Sequence, residues 1–288
     1  MIFYIIIFFG IVSVASASVL IKMCSAPSMV IAAYRLGFAS AFFVLATLMR
    51  RVNPFSAFTR RDFGLAALAG FFLCVHFSTW ISSLKYISVA NSVVLLATTP
   101  VFVGVASVFF LHERLNKALA AGILFTLVGT TIIGSAGFGS SHFSYLGNVL
   151  ALCGAVGAGG YFIVGRALRG RIDTMSYVTV VYSFTALVLA VVALAFGFSF
   201  VHYEPKTYLL FFLIAFVPQV VGHTSFNWAL KHVSAATVSV ISLGEPIGAP
   251  ILAFLVLGEK ITAIQLFGGT LILAGVVFAL RGEVVLKR

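Results

Sequence analysis

The sequence predicts an all-α polytopic membrane protein, with ten transmembrane helices forming two inverted five-helix repeats around a central cavity. Three observations lead there. The 288 residues are 61% hydrophobic and 9% charged, with a mean hydropathy of +1.16. A soluble chain carries about 25% charged residues, so this one lacks the polar surface to coat a soluble domain. Its apolar residues also fall in continuous runs of spanning length, and the second half of the chain repeats the first. The same composition excludes disorder, collagen and a secreted disulfide scaffold. The three cysteines, Cys24, Cys74 and Cys153, form neither a CxxC pair nor a Cys/His cluster and read as apolar packing residues. A net charge of +11 would suggest nucleic acid in a soluble protein. Here the basic residues lie between apolar runs and at the C-terminus, so no nucleic-acid partner is expected.

A spanning helix needs about 20 mostly apolar residues. The runs occupy 2–21, 28–49, 63–83, 87–111, 117–134, 145–164, 176–198, 208–230, 233–257 and 263–280. They are continuous rather than alternating, which argues against a β-barrel. In the first, Ala15-Ser16-Ala17 resembles a signal-peptidase site. No basic residue precedes it and losing the run would spoil the repeat, so it is read as a retained span. The second run carries Arg35. The third places His76, Thr79, Trp80 and Ser83 on one helical face. The fourth holds Asn91 and Thr98, seven apart, and then Thr99-Pro100. The fifth follows Glu113 and the tenth follows Glu259, acidic residues that suit the positive ends of those helices. The sixth contains the glycine-rich stretch 154–160, which has a superficial likeness to a phosphate loop. No strand precedes it, so close helix packing is the reading. The seventh brings Ser183 into register with Arg35 through the Tyr34/Tyr182 match. The eighth carries His223, Thr224, Asn227 and Trp228, and the ninth Ser239, Ser242 and Glu245-Pro246.

The distribution of Lys and Arg sets orientation. Thirteen fall on the side shared by both termini, in 50–62, 112–117, 165–175, at Lys231 and at the C-terminus. The other side has four: Lys22, Lys85, Lys206 and Lys260. Both termini are therefore expected in the cytoplasm. The chain matches itself without gaps at an offset of 146. Leu84-Lys85-Tyr86-Ile87-Ser88 aligns with Leu230-Lys231-His232-Val233-Ser234, and Pro100 with Pro246. Leu111 aligns with Leu257, Glu113-Arg114 with Glu259-Lys260, and Gly122 and Gly129 with Gly268 and Gly275. The two units are 1–134 and 145–288. Five spans per unit is an odd number, so the second copy starts on the opposite side of the bilayer. Inverted repeats are a signature of secondary transporters, which rock two related halves about a midplane site.

Polar groups in hydrocarbon are costly, so those inside spans are the functional candidates. Arg35 can grip a carboxylate bidentately or snorkel outward. Glu245 can bind an ammonium group, carry a proton, or tie helices together. Pro246 and Pro100 cannot donate to the carbonyls of Ser242 and Leu96, so both helices should break there. His76, Thr79 and Trp80 on one helix, and His223, Asn227 and Trp228 on another, suit an amphipathic solute or plain interhelical hydrogen bonding. Asn91, Thr98, Thr99 and Ser242 are further cavity candidates. The constellation offers no metal-ligand cluster, no HExxH and no GxSxG, so no metal, cofactor or enzymatic activity is expected.

Residues 76–115, HFSTWISSLKYISVANSVVLLATTPVFVGVASVFFLHERL, resemble the first repeat of the EamA family of the drug/metabolite transporter superfamily. Residues 242–262, SLGEPIGAPILAFLVLGEKIT, resemble its second. The resemblance implies a multi-pass carrier of the cytoplasmic, inner membrane, with a central cavity lined by the third, fourth, eighth and ninth spans. It implies a small-molecule substrate, amino acids foremost, moved outward by alternating access, with the protein acting as a monomer in the bilayer. Drugs or nucleotide sugars are the alternative cargo; a channel or an integral-membrane lipid enzyme is the less favoured class.

Overall fold

The computed structural model describes residues 2–112, 116–135, 144–258 and 263–286, and among these the regular structure is helical throughout. The helices are α1 (Ile2–Lys22), α2 (Ser28–Met49), α3 (Arg60–Ser83), α4 (Val89–Leu111), α5 (Lys117–Ser135), α6 (Tyr145–Arg169), α7 (Thr174–Ala195), α8 (Pro205–Ala229), α9 (Ala235–Leu257) and α10 (Ala263–Leu286). Among the described residues, 8 helices are long and apolar enough to cross a membrane; the shorter apolar stretches Lys117–Ile132 and Leu266–Phe278 lie in α5 and α10. Phe8, Phe9, Met49, Phe109, Phe110 and Leu255 stand on the outside. An apolar exterior over so many spanning helices makes this a multi-pass membrane protein. Glu113, Arg114, Glu259 and Lys260 lie outside the described residues.

Polar caps start the helices where water or interface is within reach. Thr59 and Asp62 form a capping box on α3, and the side chains of Ser144 and Asp173 accept from the first turns of α6 and α7. The repeat noted in sequence is also local structure. Ser88 and Ser234, which open α4 and α9, share φ −63° and ψ 158° and accept from Asn91 N–H and Thr237 N–H at 3.2 and 3.1 Å. The turns before them are closed alike, Ile87 N–H to the Ser83 carbonyl at 3.0 Å and Val233 N–H to the Ala229 carbonyl at 2.9 Å. α4 then ends on His112 at φ 53° and α9 on Gly258 at φ 70°, both left-handed. A histidine there is strained, whereas glycine is relaxed.

Helix pairing follows small residues. α3 packs along α6, α2 along α7, α5 along α10, and α1 against α8 and α9. The glycine-rich stretch of α6 meets α3 closely, as close packing requires: a Cβ on Gly157 would stand 2.6 Å from the His76 nitrogen, and one on Gly154 2.9 Å from the Trp80 Cβ. α5 and α10 cross reciprocally, Gly129 against the Gly268 carbonyl and Gly275 against the Gly122 carbonyl. One packing expectation fails: Cys24 and Cys74 are buried, but Cys153 is exposed on the outer side of α6. The glycine side of that helix faces the protein and leaves Cys153 on the other.

Charged residues close one end of the bundle. Arg169, fully buried at the end of α6, donates Nε to the Asn227 carbonyl at 3.0 Å and also bonds the Ile172 carbonyl and the Thr174 hydroxyl. Arg166 reaches the Leu230 carbonyl at 2.6 Å, and Arg171 pairs with the buried Asp62 at 2.5 Å. Cations at a helix C-terminus complement its dipole and its free carbonyls.

Candidate functional site

The site begins at two prolines. Without an N–H on Pro100, α4 breaks at Ala97 and restarts at Thr99. The Leu96 carbonyl is taken instead by the Thr99 hydroxyl at 2.7 Å, and that hydroxyl also reaches the Ala155 carbonyl of α6 at 3.3 Å. In α9 the break is a 3₁₀ turn over Ser242–Gly244, and the helix restarts at Glu245, whose N–H serves the Ser242 carbonyl. Thr99 and Glu245 are thus the first residues of two half-helices. An N-terminal half-helix end favours negative charge, which suits the Glu245 carboxylate.

A third irregularity faces them. α8 widens into a π-helix over Ala215–His223, around Pro218. Such segments recur at functional sites because the extra residue per turn re-aims side chains. Here they aim Gln219 and His223 inward: Gln219 is 0% exposed and His223 7%.

Between α1, α3, α4, α6, α8 and α9 lies a cavity of about 30 Å³ walled by His76, Thr99, His223, Ser242, Glu245 and Pro246, with Val14, Val93, Phe162 and Phe226 supplying apolar surface. That is room for a water molecule or two, too little for an amino acid. Larger clefts lie elsewhere, one at the α2–α7 end beside Arg51 and Asn53. They open on the periphery and gather no buried ionisable groups.

His76 Nδ1 lies 2.9 Å from the Gly154 carbonyl. A carbonyl only accepts, so Nδ1 carries the hydrogen and Nε2 is left as an acceptor. Its ring stacks on Trp80 at 5.7 Å with 3° between planes and lies 6.0 Å from His223. Arg35, 0% exposed, donates Nε to Gln219 Oε1 at 2.7 Å and lays its guanidinium 4.1 Å over the Phe77 ring. The other edge of Phe77 meets His76 and His223 at 4.6 and 5.2 Å. Arg35 is therefore one aromatic ring removed from the cavity wall and makes no direct ion pair with Glu245. Four buried groups here have atoms without a hydrogen-bond partner: Arg35 Nη1 and Nη2, Gln219 Nε2, His223 Nδ1 and Glu245 Oε1. Buried polar atoms are nearly always satisfied, and leaving one unsatisfied costs about 1–3 kcal/mol. Of these, His223 and Glu245 line the cavity at the irregular stretches of α8 and α9, whereas Arg35 and Gln219 lie behind Phe77.

The remaining sequence candidates go elsewhere. Trp80 is buried beneath His76 and packs on Gly154, behind the wall. Thr79 and Thr98 return their hydroxyls to the Val75 and Leu95 carbonyls of their own helices at 2.7 Å. Asn91 sits in the first turn of α4, its N–H on Ser88. Pro100 is buried beside the break it causes. Asn227 is fully buried but joins Tyr161 at 2.8 Å and Tyr182 at 3.0 Å rather than the cavity. Trp228 packs in tilted contacts against His232 at 4.3 Å and Phe3 at 5.7 Å, at the end of α8. Successive helical residues point 100° apart, so Asn227 inward sends Trp228 outward. Gln219 and Phe77 stand outside the sequence-derived candidates. A glutamine directly after Pro218 in an apolar run was the available signal for the first; nothing distinguishes Phe77 from the other 29 of the 30 phenylalanines.

The EamA-like transporter family matches residues 1–135 and again 145–281. The chain belongs to the EamA-like transporter family. It is 25% identical over 250 residues to the uncharacterized transporter YetK of Bacillus subtilis, covering 84% of this chain and 75% of that one. A probable terminal-alkyne amino-acid exporter of Streptantibioticus cattleyicolor is 26% identical over 194 residues, 66% of this chain and 64% of its own. A probable amino-acid metabolite efflux pump of Escherichia coli is 26% identical over 191 residues, 62% and 64%. A solved crystal structure superposes with a TM-score of 0.80 at 20% identity, over 99% of this chain and 98% of the other, a likeness of fold. As an EamA-like transporter the chain is a membrane transporter.

Proposed function

We propose that this EamA-like protein exports small zwitterionic metabolites, amino acids foremost, across the cytoplasmic membrane by alternating access. Arg35 receives the carboxylate, Glu245 the ammonium group, and the apolar wall around Val93, Phe162 and Phe226 the side chain. The observation that carries this reading is a pair of buried, unpartnered groups of opposite character on the two sides of the Phe77 ring and the cavity wall: donors on Arg35, an acceptor on Glu245. A zwitterion satisfies both kinds. Two relatives bearing amino-acid export in their names support the same cargo.

The architecture behind the proposal has ten spans in two inverted units, 1–134 and 145–288, with both termini cytoplasmic, working as a monomer. Several features support it. The helix pairs persist when the halves are exchanged: α2 with α7 and α5 with α10 map onto themselves, and α3 with α6 maps onto α8 with α1. The reciprocal Gly129–Gly268 and Gly275–Gly122 contacts have the form of a twofold axis. A central cavity of about 30 Å³ is too small for an amino acid, so binding one requires the surrounding helices to part.

The test is efflux from proteoliposomes loaded with amino acids, nucleotide sugars and cationic drugs, followed by mass spectrometry. Selective amino-acid efflux, lost in Arg35→Ala and Glu245→Gln, is the expected result. Efflux unchanged in both variants, with the proteins folded, overturns it.

A further inference from the structure

We infer that Gln219 is the residue that positions Arg35 for carboxylate recognition; this rests on the reading of Arg35 given under the proposed function. Arginine has only donors, so the Gln219 atom 2.7 Å from Arg35 Nε is the amide oxygen. This assignment fixes the rest of the amide: Nε2 is turned away from Arg35, on the side of the Tyr182 hydroxyl. Binding at Nε leaves the guanidinium's paired edge, Nη1 and Nη2, uncommitted, and stacking on Phe77 at 4.1 Å fixes its plane. Two donor nitrogens on one edge of Arg35 thus stand buried, in a fixed plane, without an acceptor. Such an excess of donors is complementary to a carboxylate and repels an ammonium group.

Gln219 is itself held. Its carbonyl accepts the Thr224 N–H across the wide π turn and the Thr224 hydroxyl at 3.2 Å. That hydroxyl stands 3.4 Å from the Tyr182 hydroxyl, which receives Asn227 Nδ2 at 3.0 Å. The π-helical turn, anchored by α7, therefore sets where the amide oxygen meets Arg35. Only an uncharged side chain of this length supplies an acceptor to Nε without neutralising the guanidinium.

Two substitutions separate this role from a structural one. Gln219→Glu keeps size and acceptor, so a purely structural contact survives it, but its charge cancels the anion site. Gln219→Leu keeps size and removes the acceptor. Efflux from proteoliposomes of leucine against leucinamide, which lacks the carboxylate, reads the outcome. Expected are a KM for leucine raised about tenfold or more in both variants, a maximal rate within about twofold of the parent, and a collapsed preference for leucine over leucinamide. A parental KM and preference in Gln219→Glu overturn the inference. A parent that moves neither solute overturns the amino-acid reading instead. In that event the inference is decided by thermal stabilisation of the detergent-solubilised protein with acetate: stabilisation of the parent and not of Gln219→Glu supports it, equal behaviour overturns it.

Discussion

Thr99 and Glu245 stand 146 positions apart and each opens the second half of a broken helix, one residue ahead of a proline, on the wall of the same cavity. Their chemistry differs. The Thr99 hydroxyl is spent on the Leu96 and Ala155 carbonyls, whereas Glu245 keeps one carboxylate oxygen without a partner. Glu245→Gln is accordingly expected to fold and to lower amino-acid efflux about tenfold or more. Thr99→Val is expected to lose about 1–2 kcal/mol of stability and keep efflux within a few-fold. Flux and thermal unfolding of the two purified variants check both halves of the contrast.

Arg35→Lys retains a charge but neither the planar fork nor the stacking on Phe77. Its KM for amino acids is expected to rise about tenfold, with the maximal rate less affected. A KM equal to the parent's contradicts a bidentate role.

The α3–α6 contact has no room for a methyl group at Gly157, where a Cβ would stand 2.9 Å from the Phe72 carbonyl. Gly157→Ala should cost about 1–3 kcal/mol, read as a lower unfolding temperature. Gly170→Ala, with nothing within 4 Å of the added carbon, is the matched control and should leave stability unchanged.

His112 and Gly258 end equivalent helices in the same left-handed conformation. Gly258→Ala is expected to destabilise by about 1 kcal/mol, and His112→Gly to stabilise by a comparable or smaller amount. Thermal unfolding of the two variants reads opposite signs.

Asp173, the cap of α7, lies outside the spans. Burial pushes its carboxyl up, but bonds from Ser176 and Met175 and the Arg169 charge outweigh this and hold it below the ordinary aspartate range. A carboxyl lowered on folding stabilises above its unfolded value, and that contribution fades as pH falls through the folded one. Asp173→Asn keeps a cap and should flatten the acid limb of the stability profile below about pH 4.

The parts legible in sequence were those written in apolar length and in proline. The spans, the two breaks at Pro100 and Pro246, the duplicated turns at Ser88 and Ser234 and the close α3–α6 packing at Gly154–Gly160 all follow from local rules. Arg35, His76, His223 and Glu245 were legible because ionisable groups in apolar runs are rare. The eighth helix defeated the reading. A 3.6-residue period groups Asn227 and Trp228 with His223, but successive residues point 100° apart, so one of that neighbouring pair must face outward, while the π turn over Ala215–His223 re-aims the residues before it. Gln219 was illegible for the same reason, since its inward direction depends on a turn that periodicity does not contain. The destination of Thr79 and Thr98, whose hydroxyls turn back to their own helices, is a choice of rotamer that sequence spacing leaves open.

The central claim, a saturable carrier with one site for both ends of a zwitterion, is tested most directly by counterflow. Proteoliposomes are loaded with unlabelled leucine, diluted into labelled leucine, and compared with vesicles loaded with leucinamide or N-acetyl-leucine. Transient accumulation of label driven by leucine alone, and abolished by either Arg35→Ala or Glu245→Gln, is the predicted result. Equal accumulation with leucinamide and N-acetyl-leucine inside, or label entry that never saturates, would contradict the account.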